Sequence, residues 1–252
     1  MFTVKEYKEE KDDDDGKLIW TSEKVDKLLI AMEEGYATAT HPFYEGDPTY
    51  KKGNIVFDYT DDEVAELKKC ARDIVHFANT HCQVMTDEGY MRIKLRPYQE
   101  KVLRSYQENR WNIFLAPRQI GKTITSAIFL SWYLVFHFDK NVLLMSNKGA
   151  TTKEIMDKIK AIFEGLPFFL KPGTVKKDVM TMIFDNKCRI IGQNTTKTGG
   201  IGFTIHLLFL DEFAHIQESI KKPFYENVYP TLSSSAISRV IITSTPNGYD
   251  LF

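Results

Sequence analysis

The residues best suited to chemistry lie in the run Ala116-Pro117-Arg118-Gln119-Ile120-Gly121-Lys122-Thr123. It follows the pattern G-x-x-x-x-G-K-[ST], in which backbone N–H groups and the first turn of a following helix surround phosphate groups. Ala116 stands where the pattern has its first glycine, so the loop is a variant. Read this way, Gln119 and Gly121 belong to the loop that binds the phosphates, Lys122 contacts the β- and γ-phosphates, and the Thr123 hydroxyl binds magnesium. Arg118, inside the loop, can reach charge that develops on the γ-phosphate, as an arginine finger supplied in cis. The plainer alternative for Arg118 is a solvated arginine paired with a carboxylate.

A second run, Leu207-Leu208-Phe209-Leu210-Asp211-Glu212, is an apolar strand that ends in two carboxylates, roughly ninety residues after the loop. Asp211 would hold magnesium, and Glu212 would orient and activate an attacking water as general base. Two charges at a strand end are common, but their pairing with a phosphate loop upstream is not. Thr243-Ser244-Thr245-Pro246 follows the strand Val240-Ile241-Ile242. Its hydroxyls read equally well as γ-phosphate sensors or as a polar turn. Leu95-Arg96-Pro97-Tyr98-Gln99 lies just upstream of the loop. The Gln99 amide offers a donor and an acceptor that suit an adenine edge, with Tyr98 packed on the base. The bland reading is an amphipathic helix start.

These residues need a scaffold, and the chain supplies an alternation of strands and helices from about residue 95. Short apolar runs at 113–115, 142–145, 205–210 and 239–242 read as strands, and 122–137 as a helix. Thr151-x-x-Glu154 would cap another helix, and Asp185-Asn186-Lys187 would turn a hairpin. The pattern implies an α/β fold with a mostly parallel sheet covered on both faces and ligands at the carboxyl ends of its strands. Upstream, residues 22–34 read as a helix with Ser22 as cap, and 41–58, with its prolines and glycines, as an irregular segment. A capping box, Thr60-x-x-Glu63, opens a second helix whose apolar face is Val64, Leu67, Ala71, Ile74 and Val75. Residues 1–90 are thus expected to form an arm and a helical lid or linker, and 91–252 the core. The run Asp12–Asp15 followed by Gly16 suits a flexible arm.

With 43% hydrophobic residues in 252, the chain can bury one full core. A net charge of −1 does not mark a strongly basic nucleic-acid binder, although a local basic stripe fits within it. Three cysteines without C-x-x-C spacing argue against a disulfide framework or a zinc ribbon. No run is apolar for long enough to span a bilayer.

Together the four motifs resemble the ATPase domain of the large terminases of tailed bacteriophages, closest to the T-even type, from about Phe43 onward. The resemblance implies a P-loop NTPase of the RecA-like, ASCE class with ATP and Mg2+ as its ligands. It assigns adenine contact to Tyr98 and Gln99, phosphate contact to Arg118, Lys122 and Thr123, metal and water to Asp211 and Glu212, and coupling to Thr243, Ser244 and Thr245. It also implies double-stranded DNA, a viral portal ring, a small terminase subunit and a homo-oligomeric ring as partners. The place of action would be the cytoplasm of an infected bacterial host, transiently at the procapsid portal. Where many members carry an arginine before the Asp-Glu strand, this chain has Gly199-Gly200-Ile201-Gly202. Members continue into a nuclease domain, so a chain ending at Phe252 is expected to lack that activity. The rival readings are a helicase-type ATPase and a non-catalytic module that binds a portal or DNA.

Overall fold

The computed structural model describes residues 19–34, 41–86, 89–195, 204–233 and 237–246. Asp12–Asp15, Gly16, Gly199–Gly202 and Asn247-Gly248 lie outside the described residues.

The amino-terminal part is built from β1 (Ile19–Thr21), α1 (Ser22–Glu33), β2 (Phe43–Tyr44), β3 (Asp47–Lys51), β4 (Val56–Asp58), α2 (Asp61–Arg72), α3 (Ile74–His81), β5 (Gln83–Thr86) and β6 (Gly89–Arg92). Thr21, not Ser22, caps α1, accepting from the Lys24 N–H at 3.2 Å. The segment expected to be irregular pairs instead: β2 and β3 are antiparallel, and β4 runs parallel to β1. A turn at Glu45 and Gly46, both with positive φ, makes the first pairing possible. The capping box at Thr60 is present, with both of its reciprocal hydrogen bonds. Its apolar stripe, however, runs across two helices. Asp73 ends α2 in extended conformation and caps α3 through a 2.9 Å bond from the Val75 N–H.

The remainder follows as α4 (Pro97–Glu108), β7 (Trp111–Leu115), α5 (Lys122–Phe136), β8 (Asn141–Ser146), α6 (Gly149–Gly165), β9 (Thr174–Lys177), β10 (Thr181–Phe184), β11 (Arg189–Asn194), β12 (Leu207–Asp211), α7 (Glu218–Ser233) and β13 (Arg239–Ser244). Helix α6 begins two residues before the expected Thr151. Seven strands form one sheet in the order β7-β13-β12-β8-β11-β10-β9. The first five are parallel, and the expected hairpin of β10 and β11 adds an antiparallel edge that β9 extends.

Period-two alternation divides the sheet between two cores. Val142, Leu144, Leu207, Phe209 and Ile241 face the larger one, which they share with α3, α4, α5 and α6. Leu143, Met145, Leu208, Leu210 and Val240 face the smaller one, which takes Phe224 and Leu232 from α7. Strands β8 and β12 are buried on both faces, so their carboxyl ends are held from two sides. Edge strand β7 is different: Ile113 is 70% exposed. These observations describe a P-loop NTPase fold, with the phosphate-loop strand separated from the Asp-Glu strand by β13.

Candidate nucleotide site

The carboxyl ends of β7, β12 and β13 lie side by side, because Leu115 pairs with Ser244 and Asp211 with Thr243. The loop from Ala116 to Gly121 leaves β7 and enters α5 there. It is tied to the neighbouring strand by the Ala116 N–H, which donates to the Ser244 carbonyl at 3.0 Å. Gln119 and Gly121 have φ of 63° and 83°, so the loop turns through left-handed backbone twice. A Cβ at position 121 would come within 2.8 Å of the Gln99 amide nitrogen, a second reason for glycine there.

Tyr98 and Gln99 support this loop from behind. The Tyr98 hydroxyl donates to the Ile120 carbonyl. Gln99, 6% exposed, accepts from the Arg96 N–H at 3.0 Å and donates to Thr125 Oγ1 at 3.1 Å. Thr125 in turn donates to the Gly121 carbonyl at 3.0 Å. The glutamine side chain therefore links the start of α4 to the start of α5.

Lys122, only 8% exposed, crosses the gap between loop and strand ends. Its ammonium donates to Glu212 Oε1 at 2.5 Å and lies 3.5 Å from Asp211 Oδ1. Asp211 is 2% exposed and also accepts from Thr243 Oγ1 at 2.5 Å. Glu212 departs from the strand in left-handed conformation, φ 52°, which turns its side chain out of the ladder. Its second oxygen accepts from the Thr245 N–H at 3.2 Å and the Thr245 hydroxyl at 3.1 Å. Ser244 points elsewhere, accepting from the Ala214 N–H at 3.1 Å.

The two carboxyls titrate in opposite directions. Burial pushes Asp211 up and outweighs the opposing pull of the Lys122 charge and the Thr243 hydrogen bond. Glu212 is less deeply buried, and although burial pushes it up too, its bonds from Lys122 and Thr245 hold it below the usual carboxylate range. Glu212 is thus anionic at neutral pH and bonded to the start of α5 through Lys122 and to the end of β13 through Thr245.

A cleft of about 710 Å³ opens over these groups, lined among others by Arg118, Gln119, Lys122, Thr123, Glu212 and Thr245. Arg118 is exposed on its wall. The site also includes residues that the motifs had not indicated. His215 Nε2 lies 2.7 Å from Thr245 Oγ1 and 3.6 Å from Glu212 Oε2. Its position three residues after Glu212, on the short turn Phe213–His215, was the available clue. Asn147 and Lys148 line the cleft from the end of β8, where a parallel strand in this sheet order has to arrive.

The model of the family described as terminase large subunit, T4likevirus-type, N-terminal, matches residues 113–250, more than half of the sequence. The chain belongs to this family. The match begins inside β7 of the terminase chain and takes in every strand end of the site, while Tyr98 and Gln99 precede it. Among solved structures, the large terminase of bacteriophage HK97 is similar at TM-score 0.58 and 15% identity, over 69% of the terminase chain and 37% of that protein. A mutant of the large terminase ATPase domain of Thermus phage P74-26 is similar at TM-score 0.50 and 19% identity, over 63% and 68% of the two chains. The large terminase of thermophilic bacteriophage D6E in complex with ADP gives TM-score 0.48 and 16% identity, over 60% and 39%. The chain thus spans well under half the length of the HK97 large terminase that it resembles.

Proposed function

We propose that this cleft hydrolyses ATP and that turnover drives double-stranded DNA into a viral procapsid. The supporting observation is the bridge from Lys122 at the start of α5 to Glu212 just after β12, with Thr245, just after β13, on the same carboxylate. A phosphate entering the loop competes with Glu212 for the Lys122 ammonium. When Lys122 turns to the β- and γ-phosphates, Glu212 loses its strongest partner and becomes free to accept a proton from water. Gln119 and Gly121 give the loop the backbone turns that direct N–H groups at phosphate. Arg118, on the cleft wall, stabilises charge on the γ-phosphate in the transition state.

Asp211 and Thr123 offer hard oxygen donors, a carboxylate and a hydroxyl, which suit Mg2+. When bound, the ion supplies neutralisation of phosphate charge. Asp211, kept in place by Thr243, would hold it together with Thr123. Tyr98 and Gln99, whose polar atoms are bonded to Ile120, Arg96 and Thr125, would serve the adenine end of the site by holding the loop from behind. Thr243, Ser244 and Thr245 couple the chemistry to motion, since Thr245 senses Glu212, whose charge and partners change during turnover. The partners in this reading are a portal ring, a small terminase subunit and further copies of the chain in a ring, at a procapsid in the host cytoplasm.

The test is magnesium-dependent ATP hydrolysis by the protein and its Glu212→Gln variant in single turnover. The amide keeps the shape but accepts no proton, and its NH2 replaces one of the two oxygens that accept from Lys122 and Thr245. Binding should persist while the chemical step slows by about 10²–10⁴-fold. Near-normal hydrolysis by the variant would remove Glu212 from the chemistry.

A further inference from the structure

A second group of reactive side chains lies away from the cleft, where α2 meets α3. Glu66 and Cys70 are four residues apart on α2 and so lie on one face of it. The break at Asp73 redirects the chain, and His76 and His81 of α3 return to the same point. His76 Nε2 and His81 Nε2 each lie 2.7 Å from the same Glu66 oxygen, Oε1. Cys70 Sγ lies 3.4 Å from that oxygen as well. One ligand atom from each of the four residues falls within 4.8 Å of all the others.

We propose that Glu66, Cys70, His76 and His81 bind a single zinc ion that clamps α2 to α3. The donor set is two imidazoles, a thiol and a carboxylate, which suits a borderline-soft, four-coordinate divalent ion, not magnesium or calcium. Bonds of about 2.0–2.3 Å in a tetrahedron place ligand atoms roughly 3.3–3.8 Å apart. The thiol is already at that spacing from Glu66. The two imidazoles are closer, so loading requires the Glu66 carboxylate to draw back by less than about 1 Å. It can do so, because Glu66 retains contact with solvent while Cys70 is fully buried.

The surroundings fit a metal-bound state. Thr80 Oγ1 lies 3.3 Å from His76 Nδ1. A hydroxyl there can accept a hydrogen bond from Nδ1–H and so leave the unprotonated Nε2 as a ligand, the usual arrangement behind a metal-bound histidine. His81 is packed edge-on against Phe169 at 6.2 Å, which restricts its ring. Four protein ligands leave no coordination position open, which makes the site structural and not catalytic. Its effect would reach the nucleotide domain by packing, because Phe77 of α3 meets Phe136 of α5 edge-on at 5.6 Å.

Cobalt titration of the metal-stripped protein tests the proposal, since Co2+ reports both tetrahedral geometry and a sulfur ligand by absorption. The wild-type protein should take up one equivalent with a visible tetrahedral spectrum and a thiolate charge-transfer band, and zinc should displace it. Cys70→Ser should lose the charge-transfer band. His76→Gln with His81→Gln should bind at least about 100-fold more weakly. Glu66→Gln is the milder companion, which keeps the residue volume and should also weaken binding. Absence of stoichiometric cobalt uptake by the wild type would overturn the proposal whatever the variants do. So would a charge-transfer band that persists in Cys70→Ser, or unchanged affinity in the double histidine variant.

Discussion

The cleft and the α2–α3 junction each centre on a glutamate that its neighbours hold below the usual range in spite of burial. Glu66 is brought down to about 2, where burial is outweighed by bonds from His81, His76 and Cys70. Glu212 is lowered in the same way by Lys122 and Thr245. The difference lies in how far apart the partners are along the chain. The Glu212 site collects Lys122, Asp211 and Thr245 from three elements that only the sheet order brings together, and it opens onto a cleft. The Glu66 site is assembled from two consecutive helices and one break. The first arrangement can exchange partners when a ligand enters. The second is closed by its own side chains, which is what a fixed clamp requires.

Lys122→Ala should separate the two sites most sharply. Calorimetry should find no measurable MgATP binding, while the cobalt site at α2–α3 still fills. Equal ATP affinity in the variant would remove the phosphate-loop assignment. Arg118→Ala should leave ATP affinity nearly intact and lower turnover by about a thousandfold. If affinity falls in parallel with rate, Arg118 is a ground-state contact only.

Thr245→Val removes one hydroxyl that bonds both Glu212 and His215. ATP binding should survive, and turnover should fall by about ten- to a hundredfold, the scale of one hydrogen bond to a charged group. In a bulk packaging assay with the complete motor, DNA moved per ATP should drop to background. Unchanged packaging by a well-folded variant would end the coupling role.

The smallest effect concerns pH. His137, at the end of α5, is brought down to about 4 by burial, against the pull of its bond to the Tyr133 carbonyl at 3.1 Å. The unfolded chain takes up this proton near 6.5, and the folded one only near 4. Its contribution to stability is therefore complete above 6.5 and is lost as pH falls toward 4. Melting curves over that interval should fall less steeply for His137→Gln. Parallel curves would show that His137 does not contribute.

Much of the cleft was legible in the sequence because its parts are local: a glycine-lysine-threonine run, an apolar strand closed by two acids, a strand ended by hydroxyls. Their joint placement needed only the alternation of strands and helices. The Asp73 break was not legible, since Ile74 and Val75 continue the stripe of Val64, Leu67 and Ala71 in helical register. The Glu66, Cys70, His76 and His81 group was hidden for the same reason, because its spacing has meaning only once the helix is broken there. The pairing of β2 with β3 was hidden behind the prolines and glycines of 41–58, which mark turns without saying what they join. The exposed face of β7 was not visible either, because an apolar run does not reveal whether it lies at a sheet edge.

The strand order has a consequence for the sequence of events in folding. Strand β7 precedes the other six strands of the sheet in the chain, yet among the described residues it pairs with β13 alone, and Trp111 waits for Val240. During synthesis the phosphate-loop strand emerges early and remains without a sheet partner until the β13 segment has followed it. Closing so long a loop carries a large entropic cost, and β12, which pairs with β13 on its other side, offers a surface on which β13 can settle. The loop is fastened only at that last step, when the Ala116 N–H finds the Ser244 carbonyl. A nascent chain therefore cannot complete its nucleotide pocket before Ser244 has been made, and nucleotide present during refolding should accelerate no step that precedes the pairing of β7 with β13.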